Sequence, residues 1–290
     1  MSNQRMTNSR DNLSRLIAVI VVHYGDSAAL AKNCQSWKAG VPTGTRLCVV
    51  DNSAVESQPE SRNTLKRFDE WHYLAHPSNP GYIGGVEAAL NSLSSSGVEL
   101  RGTDFIIVTN SDVENMSYPT PFLQRITKDP LVAIVGPELS PTPTWTPRDL
   151  SLIKSLVGST LWRLRSFLPV RLVNSRVDAA RSVDIRISPS PSPPDQIMVH
   201  GACFAVRLDV LWAYLALKHR PWMYGEEVLI GRILRRMGLS FVVDKNWKVN
   251  HPPKNFPRQI SRRLARARAC ALWALAIDRS LDLIRELRSA

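Results

Sequence analysis

Asn110-Ser111-Asp112 follows an apolar run at 105–108, which sets a carboxylate, with an amide oxygen beside it, at the end of a strand. Oxygen donors of this kind suit Mg2+ or Mn2+, ions that keep water and phosphate oxygens as their remaining ligands. One carboxylate needs a helper. The candidate is His251 in Val249-Asn250-His251-Pro252, a short loop after an apolar run at 241–243; a single histidine more often belongs to a surface or a core. Glu226-Glu227 opens a helix behind the apolar lead Pro221-Trp222-Met223-Tyr224-Gly225. A helix start favours ionised carboxylates, which suits a general base that takes a proton from an attacking hydroxyl. Ordinary enrichment of acids in first turns is the plain alternative, and the aromatic lead-in argues against a merely solvated face. Asn79-Pro80-Gly81-Tyr82-Ile83-Gly84-Gly85 is a glycine-rich turn into a helix near Val86, able to bring backbone and helix-start amides close to a phosphate. Its spacing matches neither GxGxxG nor the P-loop. No GxSxG elbow and no Cys/His pairing offers a nucleophile.

The elements that must position these residues read as strands alternating with helices. Residues 16–23 form a continuous apolar, β-branched run, as in a strand buried on both faces, and Gly25-Asp26-Ser27 leads into an alanine-rich helix. The pattern recurs: 47–50 ends at Asp51-Asn52-Ser53, 71–75 leads to the Pro/Gly turn, and 105–108 ends at Asn110. This predicts an α/β fold with a mostly parallel sheet. Ligands of such sheets bind beyond the carboxyl ends of the strands, so His23-Tyr24, Asp51-Asn52 and Asn110-Ser111-Asp112 would converge on one crevice. Each could instead be a turn former ending its strand.

Past a strand at 132–136 the character changes. Residues 137–147 are proline-rich, 148–176 basic and apolar, and 189–194 a Ser/Pro run. Within this section 152–172 interleaves large apolar residues with Lys154, Arg163, Arg165 and Arg171, either a basic amphipathic surface segment or a helix packed on the main body. A strand-like run resumes at 198–206, a helix follows, and the helix from Glu226 reaches Met237 before Gly238. The last forty residues carry Arg258, Arg262, Arg263, Arg266 and Arg268, then a helix-like stretch with Asp278, Asp282 and Glu286. The expected division is a disordered 1–15, a nucleotide-binding half at 16–137, an inserted segment at 138–196, an acceptor and catalytic half at 197–252 and a basic helical tail at 253–290.

The 290 residues, 44% of them hydrophobic, suffice for a sizeable core. Thirty-seven Lys and Arg against 25 Asp and Glu leave +12, which attracts polyanions: nucleotides, nucleic acid or an anionic membrane. Cys34, Cys48, Cys203 and Cys270 show no CxxC spacing, which fits a reducing compartment. The polar first 15 residues and the short run at 16–22 make neither a secretory signal nor a spanning helix, so a cytoplasmic location is expected.

Val21-Val22-His23-Tyr24, Val49-Val50-Asp51-Asn52-Ser53, Asn79-Pro80-Gly81-Tyr82, Thr109-Asn110-Ser111-Asp112, Gly201-Ala202-Cys203-Phe204 and Tyr224-Gly225-Glu226-Glu227, in that order, resemble the family-two inverting glycosyltransferases of GT-A fold, most of all a rhamnosyltransferase-like branch. The resemblance runs from about residue 16 to about 251, with a gap over roughly 138–195. It implies a nucleotide-sugar site bordered by His23, Tyr24, Asp51, Asn52, Asn79, Gly81, Tyr82, Gly84, Asn110 and Ser111, with Tyr24 against the base and Asp51 bonding base or ribose. It further implies Mg2+ or Mn2+ on Asp112 and His251, an acceptor side at Gly201, Ala202 and Trp222, and Glu227 as base with Glu226 beside it. Asn110 replaces the first Asp of the family's metal motif, Gly25 and Glu87 stand where Asn is usual, Glu227 replaces a common Asp, and Leu229 an acid. These departures bear on the metal, the sugar and the choice between the two glutamates.

The implied partners are a nucleoside-diphosphate sugar and a glycan or lipid-linked acceptor of the cell envelope, with no nucleic acid expected. Two alternatives stand beside this. A nucleotidyltransferase acting on sugar phosphates would need a glycine-rich basic loop after the first strand, where this chain has Tyr24-Gly25-Asp26. A non-enzymatic binder of polyanions or membrane would explain the charge but not the acids at the strand ends. The basic tail and residues 152–172 also suggest an enzyme held peripherally on the inner face of the membrane.

Overall fold

The computed structural model describes residues 14–38, 40–117, 129–140, 152–167, 198–221, 225–252 and 262–289. Eight strands form one sheet: β1 (Leu16–His23), β2 (Arg46–Asp51), β3 (Trp71–Ala75), β4 (Phe105–Asn110), β5 (Glu114–Asn115), β6 (Val132–Ser140), β7 (Cys203–Arg207) and β8 (Ser240–Asn250). Their spatial order is β3-β2-β1-β4-β7-β6-β8-β5. The first four pair in parallel, β7 runs antiparallel between β4 and β6, β8 lies parallel to β6, and β5 closes the edge antiparallel to β8. The two halves inferred from the sequence therefore share a single sheet, with β7 as the seam.

The helices are α1 (Ser27–Lys38), α2 (Gln58–Leu65), α3 (Tyr82–Ser95), α4 (Leu152–Phe167), α5 (Leu208–Leu215), α6 (Glu226–Arg236) and α7 (Arg262–Ser289). Every residue of β1 is buried. Ala18, Ile20 and Val22 face the core under α3, α5 and α6, while Val19 and Val21 face the core shared with Leu30, Cys34 and Trp37 of α1. A strand sandwiched this way needs apolar side chains on both faces, which is why its sequence does not alternate.

Register brings the strand ends level. His23 pairs with Asp51, and Val22 with both Val50 and Asn110, so β1, β2 and β4 release their chains at one edge. Strand β8 differs from expectation. It runs on past the apolar run at 241–243 through a local turn in which the Asn246 N–H donates to Asp244 Oδ1 at 2.9 Å. Pairing with β6 absorbs it as a register shift between Pro137 and Glu138, and the strand continues to Asn250. His251 is thereby delivered directly from a strand to the same edge.

Arg15, expected to belong with the polar N-terminus, makes a two-pronged ion pair with buried Asp104, at 2.7 and 3.0 Å. The C-terminal helix is integrated rather than appended. Arg232 of α6 pairs with Asp278 of α7 at 3.1 Å and donates to the Leu275 carbonyl at 2.8 Å; Arg236 reaches Asp278 and Asp282 at 2.7 and 2.6 Å. Among the described residues no helix is long and apolar enough to cross a membrane.

Candidate functional site

At the common edge of β1, β2 and β4 the polar residues divide into struts beneath the site and groups that face it. His23 is fully buried: Nδ1 lies 2.9 Å from Ser111 Oγ and Nε2 3.1 Å from Ser61 Oγ. It ties the ends of β1 and β4 to α2 and underlies the site rather than lining it. Asp51 is also fully buried; Oδ1 accepts the Ser53 N–H at 2.9 Å and Oδ2 the Tyr73 hydroxyl at 2.8 Å. Only lone pairs left over from those bonds are available to a ligand. Asn52 donates from Nδ2 to the Gly81 carbonyl at 3.0 Å, which locks the second strand end to the glycine-rich turn. Tyr24, by contrast, is exposed.

The glycine-rich turn is shaped by close approach. Gly81 takes φ +86° as the cap of α3, a conformation that favours glycine, and Asn79 also sits at positive φ while its Oδ1 accepts the Gly81 N–H. At Gly84 a Cβ would lie 2.8 Å from Pro80 Cβ, so the first turn of α3 folds onto the proline only with glycine there. The helix therefore opens at Tyr82, four residues earlier than the sequence suggested. Glu87 of α3 pairs with Arg220 at 3.1 Å, joining this helix to the segment before α6.

Asn110 donates its N–H to the Ala202 carbonyl at 2.9 Å and accepts from Asn33 Nδ2 at 3.0 Å, so its backbone is held from both sides. Asp112, two residues on, lies 3.5 Å from His251 Nε2, both side chains mostly but not wholly enclosed. A crevice of about 350 Å³ runs along this point, lined by Tyr24, Asp26, Lys32, Ser111, Asp112 and Pro252 among others. Carboxylate and imidazole side by side fit Mg2+ or Mn2+ with two protein ligands, leaving positions for diphosphate oxygens and water. Among the described residues no cluster of three or more such donors exists, so a substrate phosphate would have to complete the shell.

Ahead of α6, Gly225 turns in the left-handed region at φ +81° and the helix begins at Glu226. Glu226 is buried and Glu227 half-buried. Burial pushes both carboxyls upward, Glu226 furthest, with the charge of Glu227 adding to its rise. The pair thus favours keeping one proton between the two carboxyls. The Glu227 carboxylate rests on Gly201: a Cβ there would lie 2.7 Å from Cδ, 2.8 Å from Cγ and closer still to Oε1. Ala202 is buried beside it, and Trp222 lies outside the described residues.

His200 escaped the sequence reading. Its Nδ1 accepts the Ala202 N–H at 3.1 Å, and its ring packs 5.7 Å, centroid to centroid, from that of His251. Desolvation, reinforced by His251, lowers its pKa to about 4, so the ring is neutral near pH 7. Its position directly before Gly201 was the available signal. The buried Tyr82 hydroxyl lies within electrostatic reach of Glu227, Glu226 and Asp112; desolvation first, then these charges, raises its pKa well above the ordinary phenol value. Contacts thus run without a break from Glu227 through Gly201, His200 and His251 to Asp112, and Tyr82 senses both ends.

Sequence comparison finds no matching family model and no matching curated protein. Structural comparison does find matches. A mannosyltransferase from Pyrobaculum calidifontis, solved with GDP-Man and Mn2+, aligns with a TM-score of 0.50 at 13% identity over 92% of this chain and 74% of its own. GalNAc-T7, solved with UDP, GalNAc and Mn2+, aligns at 0.51 and 15% identity over 83% of this chain; the match spans 44% of that longer protein. The chain has the GT-A fold, a mixed, mostly parallel sheet flanked by helices.

Proposed function

We propose that this chain is a glycosyltransferase that moves a sugar from a nucleoside diphosphate to a hydroxyl acceptor with inversion. The observation that supports the reading is the chain of neighbours from Glu227 over Gly201 and His200 to His251 and Asp112, which would let a carboxylate base and a cation act on one substrate. Both solved proteins of this fold quoted above were captured with Mn2+ and a nucleotide.

Inverting displacement needs the acceptor oxygen deprotonated on one side of the anomeric carbon while the diphosphate departs on the other. Glu227 takes the acceptor proton. A proton kept on the pair spares it a second negative charge before the acceptor binds, and Gly201 keeps the Glu227 carboxylate where an acceptor hydroxyl can meet it. Asp112 and His251 would hold Mg2+ or Mn2+, and a bound cation would neutralise charge on the departing diphosphate. Tyr24 offers its exposed ring to the base, and the Asn79–Gly85 turn presents backbone N–H groups of α3 beside the phosphates. Asp51 and His23 hold the strand ends in register for these groups, and Asp51 bonds the nucleotide only through its remaining lone pairs. Rhamnose, through the branch the motifs resemble, is the proposed sugar, and a glycan or lipid-linked envelope acceptor the proposed second substrate.

A panel of nucleoside-diphosphate sugars incubated with the protein and Mn2+ or Mg2+ tests the reading. Release of nucleoside diphosphate from one donor, stopped by EDTA, is the expected result. Turnover of none would overturn it, and release of pyrophosphate from a nucleoside triphosphate and sugar phosphate would replace it with nucleotidyl transfer.

A further inference from the structure

Helices α4 and α7 meet closely through small residues. Those of α4 turned to α7 include Ser155, Gly158 and Ser159. Ser155 and Ser159 are buried, Ser159 Oγ donates to the Ala269 carbonyl at 2.9 Å, and a Cβ on Gly158 would lie 2.9 Å from Leu272 Cδ1. On α7 the buried positions from 267 to 276 are alanines apart from Leu275. Several large apolar side chains point outward. Ile153, Val157 and Leu161, spaced at four residues along α4, are 73%, 53% and 52% exposed, and Trp273, Leu281 and Ile284 of α7 lie between 43% and 49%. Of the thirteen large hydrophobic residues described as exposed, seven are on this pair of helices, so the patch is a local feature and not general leakiness of the surface.

A helix in water buries its large apolar face, whereas helices in contact with lipid meet through small residues and turn the large ones outward. Among the described residues neither helix is long and apolar enough to span a bilayer. The alternative is the interfacial plane, where an apolar face sinks among the headgroups and cations attract anionic lipid. The sequence of both helices supplies cations: α4 carries Lys154, Arg163 and Arg165 and no acid, and α7 carries Arg262, Arg263, Arg266 and Arg268 with no acid before Asp278. The Arg163 guanidinium lies 5.2 Å over the Trp273 ring, joining a cation to an interfacial aromatic. Asp278 and Asp282 are engaged by Arg232 and Arg236 on the side of α6.

We infer that the α4–α7 face docks in the surface of an anionic membrane. A second copy of the chain is the weaker occupant, because a two-fold contact through this face would set the same cations against one another, while an anionic bilayer complements them. The inference stands apart from the proposed reaction, since none of its residues belongs to the crevice.

Co-sedimentation of the full chain with vesicles of equimolar phosphatidylglycerol and phosphatidylcholine tests it, against pure phosphatidylcholine as control. The wild-type chain should partition onto the anionic vesicles, more weakly but measurably at high salt. The Val157→Glu/Leu161→Glu variant, altered only at exposed positions, should lose on the order of a hundredfold in partition while keeping its circular dichroism and Tm. Arg163→Glu should lose several-fold, chiefly at low salt. Failure of the wild type to bind, or equal binding by the double variant, overturns the inference. So does a dimer in solution that the double variant splits, or protection of these helices from hydrogen exchange without vesicles.

Discussion

Gly201→Ala isolates the geometry of the base. Gly201 does not occupy the left-handed region, so alanine meets no backbone obstacle and only space is at issue. The added methyl would sit 2.7 Å from Glu227 Cδ and 2.8 Å from Cγ, where carbon atoms prefer about 3.5 Å. The carboxylate must therefore retreat by something near 1 Å. A retreat of that size from a reacting hydroxyl costs about a hundredfold in rate, about 2.7 kcal/mol of barrier. The obstructing atoms belong to the end of a side chain, so the fold should yield there without loss of stability. The assay has three readings: kcat for transfer, Kd for the donor nucleotide, and Tm. Expected are a kcat lower by about two orders of magnitude, a donor Kd within threefold of wild type, and an unchanged Tm. A variant of unchanged Tm that retains full kcat would refute the placement of the base on Gly201. Joint loss of donor binding and Tm would show that Gly201 supports the fold instead.

The remaining predictions concern charge. Glu227→Gln should abolish most turnover while donor binding persists, and the acid limb of the wild-type rate profile should lie above the ordinary carboxylate range, because burial raises the Glu227 pKa and the base acts only when ionised. Glu226 has a raised folded-state pKa, so its contribution to stability is fully present below the unfolded value and is lost as pH rises through the folded one. Glu226→Gln should therefore raise Tm at pH 8 relative to wild type and change it little at pH 4. Asp278→Ala would leave the Arg232 guanidinium, whose side chain is 4% exposed, without its carboxylate; the cost should be about 3 kcal/mol, read as a Tm lower by roughly 8 °C in a scanning experiment.

How much of this was legible in the sequence depended on distance along the chain. Strand β1 announced itself because burial on both faces writes a continuous apolar run, and the register of β1, β2 and β4 then followed from where each run stopped. Asp112, Gly201 and the helix opened by Glu226 were marked by their own neighbours. His23 was not. Its place beneath the site depends on Ser61 and Ser111, 38 and 88 residues away, and no local pattern separates a strut from a ligand. His200 was missed for the same reason, its meaning arising from the ring of His251 across the sheet. Strand β8 read as the apolar run at 241–243 alone, because its continuation to Asn250 rests on pairing with β6 and not on apolar residues. The C-terminal helix read as a basic tail because its arginines dominate the composition, while Asp278 and Asp282, which bind it to α6, stand 42 to 46 residues from the arginines they meet.

Titration of the protein with nucleoside diphosphates, in Mn2+ and again in EDTA, for wild type and Asp112→Asn, tests the central claim most directly. If Asp112 and His251 form the cation site of a nucleotide-sugar crevice, wild-type binding tightens at least tenfold with the metal, and Asp112→Asn loses that gain while keeping its Tm. Binding indifferent to metal and weakened only by salt, or a variant that keeps the metal's effect in full, would contradict it.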